Sequence, residues 1–269
     1  MNKIQYFYKL HGCGNDFIVV DIRSLSLSLE EMEQYTRTLC TPHFSIGADG
    51  MVFIDTSHEE GVAYKWHFYN SDGCRAEMCG NASRCVAYLA EYLGIAPKEH
   101  AFETDAGRIH VLVDRESRTV RSQLTPPHSI EYNKELVYKG STYTYHTVNT
   151  GVPHAIIFVD DISNIPVSEL GAFIRYHHNF APAGTNVNFV EVRSQKDIYI
   201  RTYERGVEAE TYACGTGAVA SVVIAHGLGM VEESTNVHTF SDECLTVSLE
   251  GKDVFLKGPV SYVYSGELI

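Results

Sequence analysis

A chain of 269 residues exceeds the usual size of one compact core, so two domains are the first expectation, and its 44% hydrophobic and 20% charged content is that of a folding globular protein. With 34 acidic against 21 basic side chains the formal charge is −13, which repels phosphate backbones and anionic headgroups and argues against nucleic acid or a membrane surface as partner. Seven cysteines, an odd number, follow an N-terminus without the basic and apolar pattern of a signal peptide, which points to reduced thiols in the cytoplasm rather than a disulfide framework.

In chain order, the first clear element is Gly14-Asn-Asp-Phe-Ile-Val-Val-Asp21, a buried strand entered from a tight turn. Cys79 through Ile95 reads as an alanine-rich helix with a small, polar start and a stop at Gly94. Thr119–Leu124 alternates as a strand, and Thr125-Pro126-Pro127 then breaks any continuation, since two prolines suit neither a central strand nor a helix interior. Gly151-Val-Pro-His-Ala-Ile-Ile-Phe-Val-Asp160 repeats the glycine-then-apolar pattern, and Asp197–Tyr203 alternates again. Cys214 through Met230 is a second helix, apolar nearly all round and stopping at Gly229. Its four glycines and His226 disqualify it as a membrane span. Leu245–Leu249 is a further strand.

These elements form a weak internal duplication, because the two cysteine-led helices align without gaps and the two glycine-led strands precede them in the same order. The expected fold is therefore α/β (α+β): two pseudo-symmetric domains, each a mostly antiparallel β-sheet or barrel wrapped around a central helix. The expected domains are 1–124, completed by a C-terminal strand over 260–269, and 125–259.

Duplication places Cys79 and Cys214 at equivalent helix starts, each followed by a glycine, Gly80 or Gly215, that permits close backbone approach. A helix N-terminus favours thiolate and receives a carboxylate. Two sulfurs of opposite protonation state on opposite sides of one carbon would remove a proton from one face and deliver another to the other face, as racemisation requires. Cys13, Cys40, Cys74, Cys85 and Cys244 have no such context and read as packing residues. Cys74, Cys79 and Cys85 lack the paired spacing of a zinc site, so no metal is expected. Glu204 and Arg205 follow a strand just before the second helix. Arg205 suits a carboxylate, and Glu204 suits an ammonium group or adjustment of a thiol, although a solvated ion pair is the plain alternative. Asn15, Asn70, Asn81 and Asn186 lie in turn-rich breaks where an amide can meet an amino-acid zwitterion or simply serve the turn. His154 is a thiol-orienting candidate or a satisfied core histidine.

The segments Lys9–Phe17, Gly47-Ala-Asp-Gly50, Tyr69–Gly73, Cys79-Gly-Asn81 with Arg84-Cys85, Gly151–His154, Gly184-Thr-Asn186, Tyr203–Gly206 and Ala213–Gly217 together resemble the diaminopimelate epimerases, pyridoxal-independent racemases, across essentially the whole chain. The resemblance implies a cofactor-free epimerase of LL-diaminopimelate that closes on its substrate, usually as a homodimer. By analogy Cys79 and Cys214 are the acid/bases, and His154 and Glu204 tune the thiols. Asn15, Asn70, Gly80, Asn81, Asn186, Glu204, Arg205, Gly215 and Thr216 hold the amino acid. Gly50, Val152, Ala82 and a longer 207–211 loop depart from the common family pattern, which leaves a racemase of another amino acid on the same scaffold as the nearest alternative; a non-catalytic thiol redox or metal-binding protein is the alternative of another class.

Overall fold

The computed structural model describes residues 3–240 and 243–269. The chain divides into two compact units, one running to Ser122 and resuming over Gly258–Ile269, the other spanning Gln123–Lys257. Pro126 and Pro127 fall between the last strand of the first pass and the opening strand of the second unit.

The first unit contains β1 (Tyr6–Gly12), β2 (Asn15–Asp21), α1 (Leu29–Leu39), β3 (Gly50–Asp55), β4 (Tyr64–Asn70), α2 (Gly80–Tyr92), β5 (Glu99–Thr104), β6 (Gly107–Asp114) and β7 (Thr119–Leu124). Strands β1–β2, β3–β4, β5–β6 and β6–β7 pair antiparallel, while β2–β3 and β4–β5 pair parallel. The C-terminal strand Ser261–Glu267 returns to the free side of β1 and closes the unit.

Period-two alternation decides which helix each strand residue meets. Leu10, Phe17, Val19, Val52, Trp66, Phe68, Val111 and Val120 turn inward onto the buried face of α2, around Val86 and Leu89. Ile18, Val20, Met51, Phe53 and Tyr69, the alternate positions, pack with Met32 and Leu39 of α1. Strands β2 and β3 are thus covered on both faces, which is why they read as continuous apolar runs. Ser28 and Glu31 form a capping box at the start of α1.

The second unit repeats this order after an added strand: β8 (His128–Tyr138), β9 (Ser141–Asn149), β10 (Pro153–Phe158), α3 (Val167–Arg175), β11 (Asn186–Ser194), β12 (Asp197–Glu204), the short β13 (Ala209–Thr211), α4 (Gly215–Gly227), β14 (Ser234–His238), β15 (Cys244–Glu250) and β16 (Asp253–Pro259). The pairings β9–β10, β11–β12, β14–β15 and β15–β16 are antiparallel, and β10–β11 and β12–β14 are parallel, the same sequence of senses as in the first unit. Helix α4 packs against β9 to β12, β14 and β15, and α3 covers Ala155, Ile157, Val187, Phe189 and Tyr203 on the other face. The expected pair of similar halves, each a largely antiparallel sheet around one helix, is the observed architecture.

The two central helices are matched in detail. Each has 13 residues, with a cysteine at the N-cap and a glycine at positive φ beyond the C-cap, Gly94 at 72° and Gly229 at 74°. In both, the glycine N–H and the next N–H bond back to carbonyls of the last turn, Glu91 and Ala90 in one and His226 and Ala225 in the other, which satisfies groups a helix end would otherwise bury unpaired.

Candidate active site

Cys79 enters α2 in an extended conformation (φ −145°, ψ 121°), and its carbonyl accepts from Ser83 N at 2.9 Å. Its side chain caps no backbone N–H, so the first-turn donors of Gly80, Asn81 and Ala82 remain outside the helix ladder. Asn15 sits beside the sulfur: Cys79 Sγ lies 3.8 Å from Asn15 Oδ1, which also accepts from Asn81 Nδ2 at 3.2 Å. Asn15 Nδ2 in turn donates to Asp49 Oδ2 at 2.7 Å. Asn70 is exposed at the end of β4, and the next residue, Ser71, donates its N–H to the Asp49 carbonyl at 2.9 Å. The structure thus joins Cys79, Asn15 and Asn81 directly and places Asn70 one residue from the loop that orients Asn15.

Arg84 lies fully buried beneath this turn. It donates to the Gly80 carbonyl at 3.1 Å, to Asn81 Oδ1 at 2.7 Å and to Cys13 Sγ at 3.6 Å. A guanidinium taken from water costs several kcal/mol, which these contacts of its two terminal nitrogens offset in part, while Nε has no hydrogen-bond partner among the described residues. Lys9, itself buried, pairs with Asp16 at 2.6 Å on the same β1–β2 hairpin.

Cys214 starts α4 in the same way (φ −117°, ψ 107°), with its carbonyl accepting from Ala218 N at 2.9 Å and its sulfur 3.4 Å from Thr216 Oγ1. Thr150 Oγ1 donates to the Thr216 carbonyl at 3.1 Å and ties the first turn of α4 to the turn before β10. His154, on β10, is buried, and its Nδ1 lies 3.0 Å from Asn188 Nδ2. Burial, with the Arg205 charge adding to it, lowers the imidazole pKa to about 3. Asn186 holds two strand ends together: its Nδ2 donates to the Pro153 carbonyl at 3.2 Å and its Oδ1 accepts from Arg205 N at 2.8 Å. The Arg205 guanidinium donates to the Ala183 carbonyl at 3.1 Å, and Glu204 is half-buried at the end of β12. Gly215 is buried at the helix start as Gly80 is in the other unit.

All seven cysteines carry thiols. Burial pushes Cys40 up to about 12, raises Cys85 still further and raises Cys244, while the Asp72 carboxylate raises exposed Cys74. Among the described residues no group of three or more His, Cys, Asp or Glu side chains is arranged to hold a metal ion, and no helix is long and apolar enough to cross a membrane. Gly50 has a packing reason for lacking a side chain: a Cβ would stand 2.8 Å from the Tyr69 carbonyl oxygen and 2.9 Å from the Phe68 ring.

Several residues of these half-sites escape sequence reasoning. Arg84 had a signal, a charge inside an otherwise apolar helix, and so did Asn188, an amide within the apolar run Val187-Asn-Phe-Val190. Asp49 stood inside the Gly47–Gly50 segment with no role assigned to it, and Thr150 had no signal, because the part each plays depends on neighbours distant in sequence.

A family model described as diaminopimelate epimerase matches residues 7–130 and 146–263. The skipped stretch lies within the β8–β9 hairpin. The chain is 45% identical over 272 residues to the diaminopimelate epimerase of Hydrogenobaculum sp. (strain Y04AAS1), and 45% identical over 271 residues to that of Aquifex aeolicus (strain VF5), with 97% of each chain covered in both cases. Among solved structures, a hydroxyproline epimerase from Agrobacterium vitis superposes with a TM-score of 0.75 at 14% identity, covering 99% of this chain and 93% of that one. A phenazine biosynthesis protein of the PhzF family from Bacillus anthracis gives 0.74 at 14% identity with both chains fully covered, so the fold extends well beyond recognisable sequence similarity. On the strength of the family match and of relatives this similar over nearly their whole length, the chain belongs to the diaminopimelate epimerase family.

Proposed function

We propose that this protein inverts the α-carbon of LL-diaminopimelate to give the meso form, without pyridoxal phosphate, for lysine and peptidoglycan synthesis in the cytoplasm, and that it works as a homodimer. Cys79 and Cys214 act on opposite faces of one α-carbon, one as thiolate and the other as thiol, and exchange roles when the reaction runs backward. The observation that carries this reading is the repeated one: in each unit a cysteine occupies the N-cap of the central helix without capping it. The first-turn N–H groups so left stabilise a carboxylate whose charge grows as the α-proton departs, which is where preorganised donors contribute most.

Around that centre, Asn15 and Asn81 orient the first thiol and, with Asn70, Asn186, Glu204, Arg205, Gly80, Gly215 and Thr216, hold the amino acid. His154 and Glu204 set the electrostatics of the thiols. Purified protein incubated with LL-diaminopimelate and with a panel of other amino acids in deuterated water tests the assignment. Deuterium should enter the α-position of diaminopimelate as its meso isomer accumulates. Exchange confined to another amino acid would redirect the substrate assignment, and exchange into none would end it.

A further inference from the structure

The two units share a topology, so their inward-facing positions can be compared through strand register. In the first unit, β2 and β3 begin their pairing at Phe17 and Gly50, and Val52 pairs with Phe68 of β4. In the second, β10 and β11 begin at His154 and Asn186, and Asn188 pairs with Thr202 of β12. The counterparts of Phe17, Val52 and Phe68 are therefore His154, Asn188 and Thr202. The first three belong to the apolar core around α2, with Phe17 and Phe68 edge to face at 6.0 Å. The second three are polar and buried. A fold that fills these positions with hydrocarbon in one copy does not require polar groups in the other.

The hydrogen bonds of the polar triple fix its chemistry. Asn188 Nδ2 lies 3.3 Å from the Ala155 carbonyl, which can only accept, so this end of the amide must be the NH2 group. Thr202 Oγ1 donates to Asn188 Oδ1 at 2.9 Å and agrees with that orientation. The same NH2 faces His154 Nδ1 at 3.0 Å, so Nδ1 must accept and cannot carry a proton. His154 Nε2 is buried and has no hydrogen-bond partner among the described residues. Gly217, on the first turn of α4, brings the triple against the cysteine: a Cβ there would stand 2.3 Å from Asn188 Oδ1 and 3.3 Å from Cys214 Sγ.

We propose that Asn188, oriented by Ala155 and Thr202, is a positioning residue that locks His154 as a neutral imidazole protonated on Nε2. The locked ring keeps its Nε2–H as a fixed donor and sets the electrostatics of the site as a neutral dipole, without itself exchanging the substrate proton. The charged group that acts on it is Arg205, just past the end of β12. Arg205 disfavours imidazolium, in the same sense as the lock.

This inference deepens the epimerase reading, and its first test needs no turnover. In 15N-labelled protein, with the His154 signals assigned by their loss in His154→Gln, Nε2 should show a pyrrole-type shift and Nδ1 a pyridine-type shift, both constant from pH 5 to pH 9. A proton on Nδ1, or titration within that range, overturns the lock whatever the enzyme does. Asn188→Asp replaces the donor by an acceptor and should move the proton to Nδ1, with kcat for stereoinversion falling at least tenfold. An unchanged tautomer in that variant, or a moved tautomer with unchanged kcat, would equally refute the proposal.

Discussion

Gly217→Ala is the most local perturbation of the second half-site. The new Cβ would lie 2.3 Å from Asn188 Oδ1, about 1 Å inside an ordinary carbon–oxygen contact of roughly 3.3 Å. Asn188 cannot yield cheaply, because its amide is held by Thr202 at 2.9 Å and Ala155 at 3.3 Å. Losing two buried hydrogen bonds costs roughly 1–3 kcal/mol each, and alanine in a helix returns about 1 kcal/mol relative to glycine. The net destabilisation should be about 1–5 kcal/mol, read as a fall in the urea midpoint followed by far-ultraviolet circular dichroism. The other repeat supplies the control. Ala82 is the gapless counterpart of Gly217 and packs in the apolar core, so Ala82→Gly should cost only about 1 kcal/mol. If Gly217→Ala were as stable as the wild type with its His154 resonances unmoved, the packing derived for Asn188 would be wrong.

Stability against pH should carry the signature of His154. Its folded pKa of about 3 lies below the ordinary 6.5, so its contribution is complete above about pH 6.5 and is lost as pH falls toward 3, at up to about 1.4 kcal/mol per unit. Wild type and His154→Gln, denatured in urea from pH 7 to pH 4.5, should diverge by about 2–3 kcal/mol at the acid end, with the wild type losing more. Parallel slopes would contradict the buried, neutral imidazole. In the first half-site, Arg84→Met removes the buried charge bonded to the Gly80 carbonyl beside Cys79. Alkylation of Cys79, followed by mass spectrometry across pH, should shift to higher pH in that variant, and an unchanged profile would remove Arg84 from the electrostatics of the thiol.

Much of this arrangement was legible in residue order. The gapless match of Cys79–Ile95 with Cys214–Met230 foretold two central helices with cysteine at one end and glycine at the other, because both caps are written locally. The outer helices α1 and α3 were not recognised. For α1 a signal existed in Ser28-Leu-Glu-Glu31, the sequence form of the capping box. The β8–β9 hairpin was missed too, although Lys139-Gly140, both at positive φ, forms the two-residue turn between alternating runs. Among site residues, the cysteines and Asn15, Asn81 and Asn186 could be named from motifs. Asn188 and Thr202 could not, since nothing in either segment says that β11 and β12 bring them opposite each other. The polar triple becomes visible only when strand register sets it against Phe17, Val52 and Phe68.

The two-thiol mechanism is tested most directly by Cys79→Ser and Cys214→Ser, each assayed for stereoinversion of LL-diaminopimelate in deuterated water. A hydroxyl is far too weak an acid to replace a thiol, so each variant should lose at least about 10²-fold in rate while retaining the wild-type circular dichroism. Near-normal inversion by either serine variant would contradict the account at its centre.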